Sequence, residues 1–481
     1  MPSEIKETGE AAASHRLSIV GIGPGSPELR SFAAKEAILA ADFVVGYRPY
    51  LELIGDLLPG KKAFSSGMGR EVDRVHMALD LLEEGSVALV SSGDPNVYGM
   101  AGLGLEMAER PSEVQIVPAV TAFTAASCRA GLFYRESVCA ISLSDLLTPW
   151  PDIESRLRLA ADMNLPIAIY NPKSRRRDWQ LLRALEICGS REALLAKDIG
   201  RPGEKTVFTS SERLLEDEEL RESINMTTLV MLLGQGTFRG PASRESAINL
   251  VGIGPGRAGN LTQEARSILA GSEKVFGAER YLRSIEGVTA AHMVTHTGPC
   301  PQRMADRYDG ASAVADHGGR AAILTGGDPS IFSSGWRIID RAAKPIHISP
   351  GVSAFSSVAA RAGAPLVGDF ALLSSGREPE KAALLAGSGF AVVVYNLRAE
   401  EIAPILNDVR PDLPVALARD VDRAEERAMI LTASDLLDAR PSGFRFTLIL
   451  ASQSSYIRDG RIIAKRGYEN KYSYQRRIRA E

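Results

Sequence analysis

The chain repeats itself once, end to end. LSIVGIGPGSPEL, starting at Leu17, returns as INLVGIGPGRAGNL from Ile248. VALVSSGDPNVYG from Val87 returns as AAILTGGDPSIFSSG from Ala321, and IVPAVTAFTAASCRAG from Ile116 as ISPGVSAFSSVAARAG from Ile348. IAIYNP from Ile167 returns as VVVYNL from Val392. Gly252 lies 231 positions after Gly21, Asp328 lies 234 after Asp94, Pro350 lies 232 after Pro118, and Tyr395 lies 225 after Tyr170. Four motifs in one order at nearly one offset define a tandem duplication. A unit of roughly 230 residues is far longer than a solenoid repeat and large enough to bury its own core. The boundaries expected are a disordered leader over 1–15, a first unit over 16–238, a linker over 239–246, a diverged second unit over 247–469 and a basic tail over 470–481.

Each unit reads as α/β. Leu17–Val20 is a short apolar run that ends on Gly21, as a buried strand feeding a glycine loop does. Leu29, Ala33, Ala37 and Ala40 then recur at helical spacing. Phe43–Val45, Val87–Val90, Gln115–Val117 and Ile167–Tyr170 are further strands with helical patterns between most of them. Such alternation implies a mostly parallel first sheet. The second half of each unit starts with a strand near Val138 or Phe370 and is expected to form a sheet of its own, giving two α/β lobes per unit.

Composition narrows the function classes. Lys+Arg 56 against Asp+Glu 59 gives a net charge of −3, so no overall field draws the chain to nucleic acid or acidic membranes. Cys128, Cys139, Cys188 and Cys300 form no C-x-x-C pair and stand at no metal-ligand spacing from a His, so no metal is expected. No apolar run reaches the ~18 residues that would span a bilayer. MPSEIKETGEAAASH has no apolar core like a signal peptide's. A cytoplasmic protein is the expectation.

Several loops could carry chemistry. Gly21-Ile22-Gly23-Pro24-Gly25 follows a strand and precedes a helix, where glycine permits positive φ and close approach of a ligand. With Asp42 lying 21 residues after Gly21, both a dinucleotide site and a plain tight turn stay open. Ser91-Ser92-Gly93-Asp94-Pro95 begins at a strand's carboxyl end, where ligands bind in open α/β sheets. Thr121 follows a third strand and either caps the next helix or faces a shared ligand. Ser142, Ser144, Asp145, Thr148 and Trp150 gather hydroxyls, a carboxylate and an aromatic ring. They suit a large ligand with a flat apolar body and polar edges, or a strand running into a proline-stopped loop. The second unit has Leu372-Leu373-Ser374-Ser375-Gly376-Arg377 here instead.

The ordered set GIGPG, SSGDPNVYGMAG, VPAVTA, SLSDLLTPW and YNP resembles the tetrapyrrole (corrin/porphyrin) methyltransferases, once per unit. The first unit looks most like the members that methylate carbon 17 of precorrin-3B or cobalt-factor III in cobalamin biosynthesis. The second unit's close, Asp459-Gly460-Arg461 to Arg466-Gly467-Tyr468, resembles the same subgroup, and its Gly277-Ala278-Glu279-Arg280-Tyr281-Leu282 is similar to precorrin-6Y methylases. The resemblance implies S-adenosylmethionine in the cleft between the lobes, held by Pro24, Ser92, Gly93, Asp94, Val97, Thr121, Ala122, Asn171 and Gly200. It implies a corrin precursor on Tyr98, Met100, Ser142, Ser144 and Thr148, and a base for ring contraction among Tyr47 and Asp145. Where the family has Gly in its third motif, this chain has Ala119; if that position needs positive φ, Ala costs about 1 kcal/mol. The resembling enzymes are homodimers, so the two units are expected to pack as an intramolecular pseudo-dimer. The second unit, with Phe332 for Tyr98, is then a second corrin methylase or a non-catalytic module that binds corrinoid or serves as a dimer-like surface. A nicotinamide dehydrogenase is the more distant alternative.

Overall fold

The computed structural model describes residues 15–174, 177–375 and 378–472. Most of the expected leader and most of the basic tail lie outside the described residues. Leu17–Gly21 is buried at every position, because it is a central strand with helices on both faces. It pairs in parallel with Val87–Ser91 on one side and Gln115–Val117 on the other. Phe43–Tyr47 and Lys62–Ser66 complete a five-stranded sheet, also in parallel. Side-chain caps start its helices: Ser31 accepts from the Ala34 amide and Thr121 from the Thr124 amide. The second unit builds the matching parallel sheet around Ile248–Gly252, with Ala321–Thr325 and Ile346–Ser349 beside it.

The second halves do not form separate sheets. Ser137–Ser142 of the first unit pairs antiparallel with Phe370–Leu373 of the second, in the register Ala140 to Phe370 and Val138 to Leu372. One ten-stranded sheet results, and its strand order on one side of this pair mirrors the order on the other. The sequence showed each half's apolar run but not its partner, since an edge of one repeat can be closed by the other as readily as by its own chain. Beneath this seam Phe123 stacks on Phe355 with centroids 6.3 Å apart, and Phe370 packs against both. The segment expected to be a linker is ordered: Thr237–Arg239 pairs with Leu132–Tyr134, and Ala242–Ser243 adds an edge to the second unit's parallel sheet.

Two local expectations are corrected. Ala119 does not have positive φ, so it carries no left-handed strain. Asp42 accepts the Ser86 amide at 2.8 Å and braces a turn, a structural role for the acidic residue that the dinucleotide reading needed.

Candidate active site

Backbone bonds stitch two loops together at the carboxyl end of the first sheet, and the Asp94 side chain ties in a third. The Ile22 amide donates to Ser91 O at 3.0 Å, and the Gly93 amide to Gly23 O at 2.8 Å. Asp94, wholly buried, accepts the Asn96 amide at 2.9 Å and the Ala119 amide at 2.8 Å. It therefore fixes its own loop and ties it to the third. Burial pushes its carboxyl up to about 7, against the pull of those two amides. Arg201 reaches across from the second lobe, donating to Pro24 O at 3.0 Å and Ser92 Oγ at 3.2 Å.

These loops wall a cavity of about 360 Å³. Pro24, Ser92, Gly93, Asp94, Val97, Thr121, Ala122 and Asn171 line it, as the resemblance implied. Gly200 does not line it. Its φ of +70° turns the chain so that its neighbours Ile199 and Arg201 face the cavity, while a Cβ on Gly200 would stand 3.2 Å from the Gly25 amide. Gly93 has φ +64°, and a Cβ there would meet nothing within 4 Å. This is an open cradle whose backbone a ligand can approach, and it fits a nucleoside-sized cofactor. Thr121 both caps its helix and lines the cavity, so its two readings are compatible.

A second cavity of about 560 Å³ adjoins the first. Tyr47, Tyr50, Met68, Ser92, Tyr98 and Asn171 line both. Met100, Ser142, Ser144 and Thr148 line the second. Asp145 lines neither; it accepts Gln180 Nε2 at 3.0 Å and stands 3.9 Å from Arg177. Of the two candidate bases, the structure brings only Tyr47 to the junction. Arg74 is almost wholly buried beside it, its guanidinium 5.7 Å from the Tyr47 ring centroid and bonded to Ser66 Oγ and Gly67 O. Burial lowers the Arg74 pKa.

The second unit completes this cavity. Tyr98, held at φ +53°, donates its hydroxyl to Asp369 at 2.8 Å. Asp369 also accepts the Ser142 amide at 2.9 Å and Arg156 Nη1 at 2.8 Å. Burial and the Asp369 charge raise the Tyr98 pKa well above the ordinary phenol value, which keeps the hydroxyl a donor. Arg466 lies over the Tyr98 ring at 5.6 Å, and Tyr468 lines the same wall. Sequence reasoning missed Arg74, Arg201 and Asp369. The first two had a signal, because Arg307 and Arg423 repeat them in the second unit; Asp369 had none, because its side-chain hydrogen bonds are made across the seam.

A family model described as tetrapyrrole (corrin/porphyrin) methylases matches residues 16–215 and again 247–437. The chain belongs to the tetrapyrrole methylase family. Its first half is similar to particular members. A probable cobalt-factor III C(17)-methyltransferase of Salmonella typhimurium is 39% identical over 231 residues, covering 46% of this chain and 94% of that protein. A precorrin-3B C(17)-methyltransferase of Sinorhizobium is 39% identical over 201 residues, covering 39% of this chain and 79% of that protein. The cobalamin biosynthesis protein CbiHC of Archaeoglobus fulgidus is 39% identical over 224 residues, but this match spans only 49% of its length. The crystal structure of the methyltransferase CobJ shares 33% identity with a TM-score of 0.42, over 47% of this chain and 97% of that one. Among the described residues no helix is long and apolar enough to cross a membrane, and no cluster of His, Cys, Asp or Glu could hold a metal ion.

Proposed function

We propose that the first unit transfers a methyl group from S-adenosylmethionine to carbon 17 of precorrin-3B or cobalt-factor III, with contraction of the ring, in cobalamin biosynthesis. The observation that carries this reading is the pair of adjoining cavities that share Tyr47, Ser92, Tyr98 and Asn171 at their junction. The 39% identity of the first half to C(17)-methyltransferases points to the same acceptor carbon.

The cofactor supplies an electrophilic methyl group on a sulfonium. The chain's part is to hold donor and acceptor in line, an effect worth ~7–11 kcal/mol at best. Gly93 leaves room for the nucleoside, and the Asp94 clamp keeps its loop and the Thr121 loop at fixed separation. Tyr98 is locked by Asp369 and packs against Tyr170 with the rings tilted by 50° and centroids 4.9 Å apart, so the wall between the cavities is stiff. Met100, Leu146 and Leu147 offer apolar surface to a macrocycle, while Arg74, Arg156 and Arg466 stand where its carboxylates would lie. Tyr47 is the group placed to accept or return a proton during contraction. Asp145 acts at most through Arg177 and Gln180, as a positioning residue.

The shared ten-stranded sheet supports the view that the second unit takes the place of a dimer partner. All four cysteines are free thiols, which suits the reducing cytoplasm. The test is turnover of cobalt-factor III and of precorrin-3B with S-adenosylmethionine. The expected result is a product heavier by one methyl group, with methylation at carbon 17 by NMR. Methylation at any other carbon refutes the assignment.

A further inference from the structure

The two units meet about a local twofold. The Phe32 amide donates to Leu261 O at 3.0 Å and the Gln263 amide to Arg30 O at 3.1 Å, and these residues are repeat equivalents. An exact repeat would place the same polar cluster on both sides of this axis. On one side the cluster is closed. Arg129 lies 3.5 Å from Glu204 and 3.1 Å from Glu264. Glu264 also accepts Ser349 Oγ at 2.9 Å and stands 3.3 Å from His347. Ala242–Ser243 covers the outer edge of the strand that carries His347 and Ser349.

The other side keeps half of this arrangement. Arg361, the equivalent of Arg129, stands 2.6 Å from Glu426, the equivalent of Glu204. Ala33, however, takes the place of Glu264, and Gln115 and Val117 take the places of His347 and Ser349. Among the described residues no strand covers the outer edge of Gln115–Val117. A cavity of about 370 Å³ lies here instead, walled by Ala33 and Gln115–Pro118 of the first unit and by the second unit. Four guanidiniums border it, those of Arg257, Arg361, Arg423 and Arg461, against the two carboxylates of Asp422 and Glu426.

Both carboxylates are engaged: Glu426 also accepts the Asp422 amide at 2.9 Å, and Asp422 accepts Asn260 Nδ2 at 2.7 Å. Two of the guanidiniums are not matched in charge. Arg461 donates Nη1 to the carbonyl oxygens of Ala360 and Arg361 at 3.3 and 2.5 Å, and has no ion pair among the described residues. Exposed Arg257 has neither ion pair nor side-chain hydrogen bond among them. Ser357 borders the cavity too. It is 3% exposed, its Oγ has no hydrogen-bond partner, and the first unit has Ala125 in its place. A buried hydroxyl without a partner is costly unless a ligand or water completes it.

We propose that this cavity is a binding site for a small dianion, a dicarboxylate or a phosphate monoester, which bridges the two units and seats one oxyanion group where the mirror cluster has the Glu264 carboxylate. The excess of guanidinium over carboxylate attracts such a ligand. Arg257 and Arg461 supply charge-assisted hydrogen bonds, and Ser357 supplies a donor at the back. Neither the methyl transfer nor its acceptor carbon enters this assignment.

The test uses the full chain in Tris chloride, with succinate and inorganic phosphate as probes in calorimetry. One equivalent of probe should bind, with affinity falling as sodium chloride is raised. Ala33→Glu rebuilds the mirror cluster with the chain's own carboxylate and should abolish that binding. It should be at least as stable as the wild type, since a Glu in the first turn of the helix capped by Ser31 meets its dipole favourably. Arg257→Gln should weaken binding about tenfold. Cooperative thermal unfolding shows that each variant folds. Binding of succinate alone assigns the site to carboxylates and of phosphate alone to phosphoryl groups, and either result sustains the proposal. Failure of both probes to bind overturns it, as does full binding in a folded Ala33→Glu. Unchanged affinity in Arg257→Gln overturns it even if Ala33→Glu fails to fold.

Discussion

Gly93→Val separates a cofactor cradle from a mere turn. At φ +64° a β-branched residue is strained by about 1–2 kcal/mol. Apart from its chain neighbours, no protein atom lies within 4 Å of the new Cβ, so the Cβ itself meets no clash in the fold. The isopropyl group projects into the 360 Å³ cavity instead. Holding a ligand off about 100 Å² of wall forfeits about 2.5 kcal/mol, which is nearly two powers of ten in affinity. The strain alone should lower Tm by about 2–8 °C. Gly60→Val supplies the control: φ is +78° and a Cβ again meets nothing, but the residue sits in a surface turn away from both cavities. Calorimetry with S-adenosylhomocysteine should show affinity falling fifty- to a hundredfold in Gly93→Val and unchanged in Gly60→Val, with similar losses in Tm. Equal affinity in the two variants would remove this loop from the cofactor site.

Tyr47→Phe should lower kcat well over tenfold with little change in KM, and Asp145→Ala should cost less than tenfold; single-turnover assays check the ranking, and the reverse order would move the base to Asp145. Asp369→Ala leaves Arg156 and the Tyr98 hydroxyl without their acceptor, so stability should fall by about 3–5 kcal/mol in denaturant titrations; a loss below 1 kcal/mol would show that this cross-unit network is slack. Burial raises Asp94 to about 7 and Asp328 to about 6, from 3.8. Between pH 4 and 7 the folded chain therefore holds protons that the unfolded chain has released, and these two groups make stability fall as pH rises through that window. Denaturation midpoints of the wild type should drop more between pH 5 and 8 than those of Asp328→Asn, and parallel profiles would contradict the assignment.

What could be read in the sequence was whatever the repeat or the loop chemistry announced. Strands such as Val87–Ser91 are buried at every position and look so. Gly93 and Gly23 have the positive φ their loops suggested. Eight of nine expected cofactor contacts line one cavity because each lies in a loop at a strand's carboxyl end. Gly200 lies behind the cavity wall that Ile199 and Arg201 form, and the sequence cannot say which side of a turn faces inward. Asp145 lies off the cavity because it turns to Gln180 and Arg177, while Ser144, Leu146, Leu147, Thr148 and Pro149 of the same loop reach the wall. The shared sheet and Asp369 escaped notice for one reason. Contacts between positions hundreds of residues apart leave no local pattern, and one sequence supplies no second signal.

The seam between the units yields the last prediction. Every residue of Ser137–Ser142 is buried, and Phe370–Leu373 is its neighbour along the full pairing. Cut at Gly240, the first half would present that strand as an open, apolar edge, together with the Phe123 face that now stacks on Phe355. An edge of this kind seeks a partner. Two are available: the second half, or another first half, because the mirrored strand order makes the seam nearly self-complementary. Halves covering 1–240 and 241–481, each produced alone, should therefore form homodimers or aggregate. Produced together they should associate one to one and recover methylation. In the intact chain the covalent link raises the partner's effective concentration to about millimolar, so the intramolecular pair wins. Light scattering on the purified halves decides the matter. A first half that is monomeric, unfolds cooperatively and binds cofactor with full affinity would refute the idea that the second unit stands in for a dimer partner.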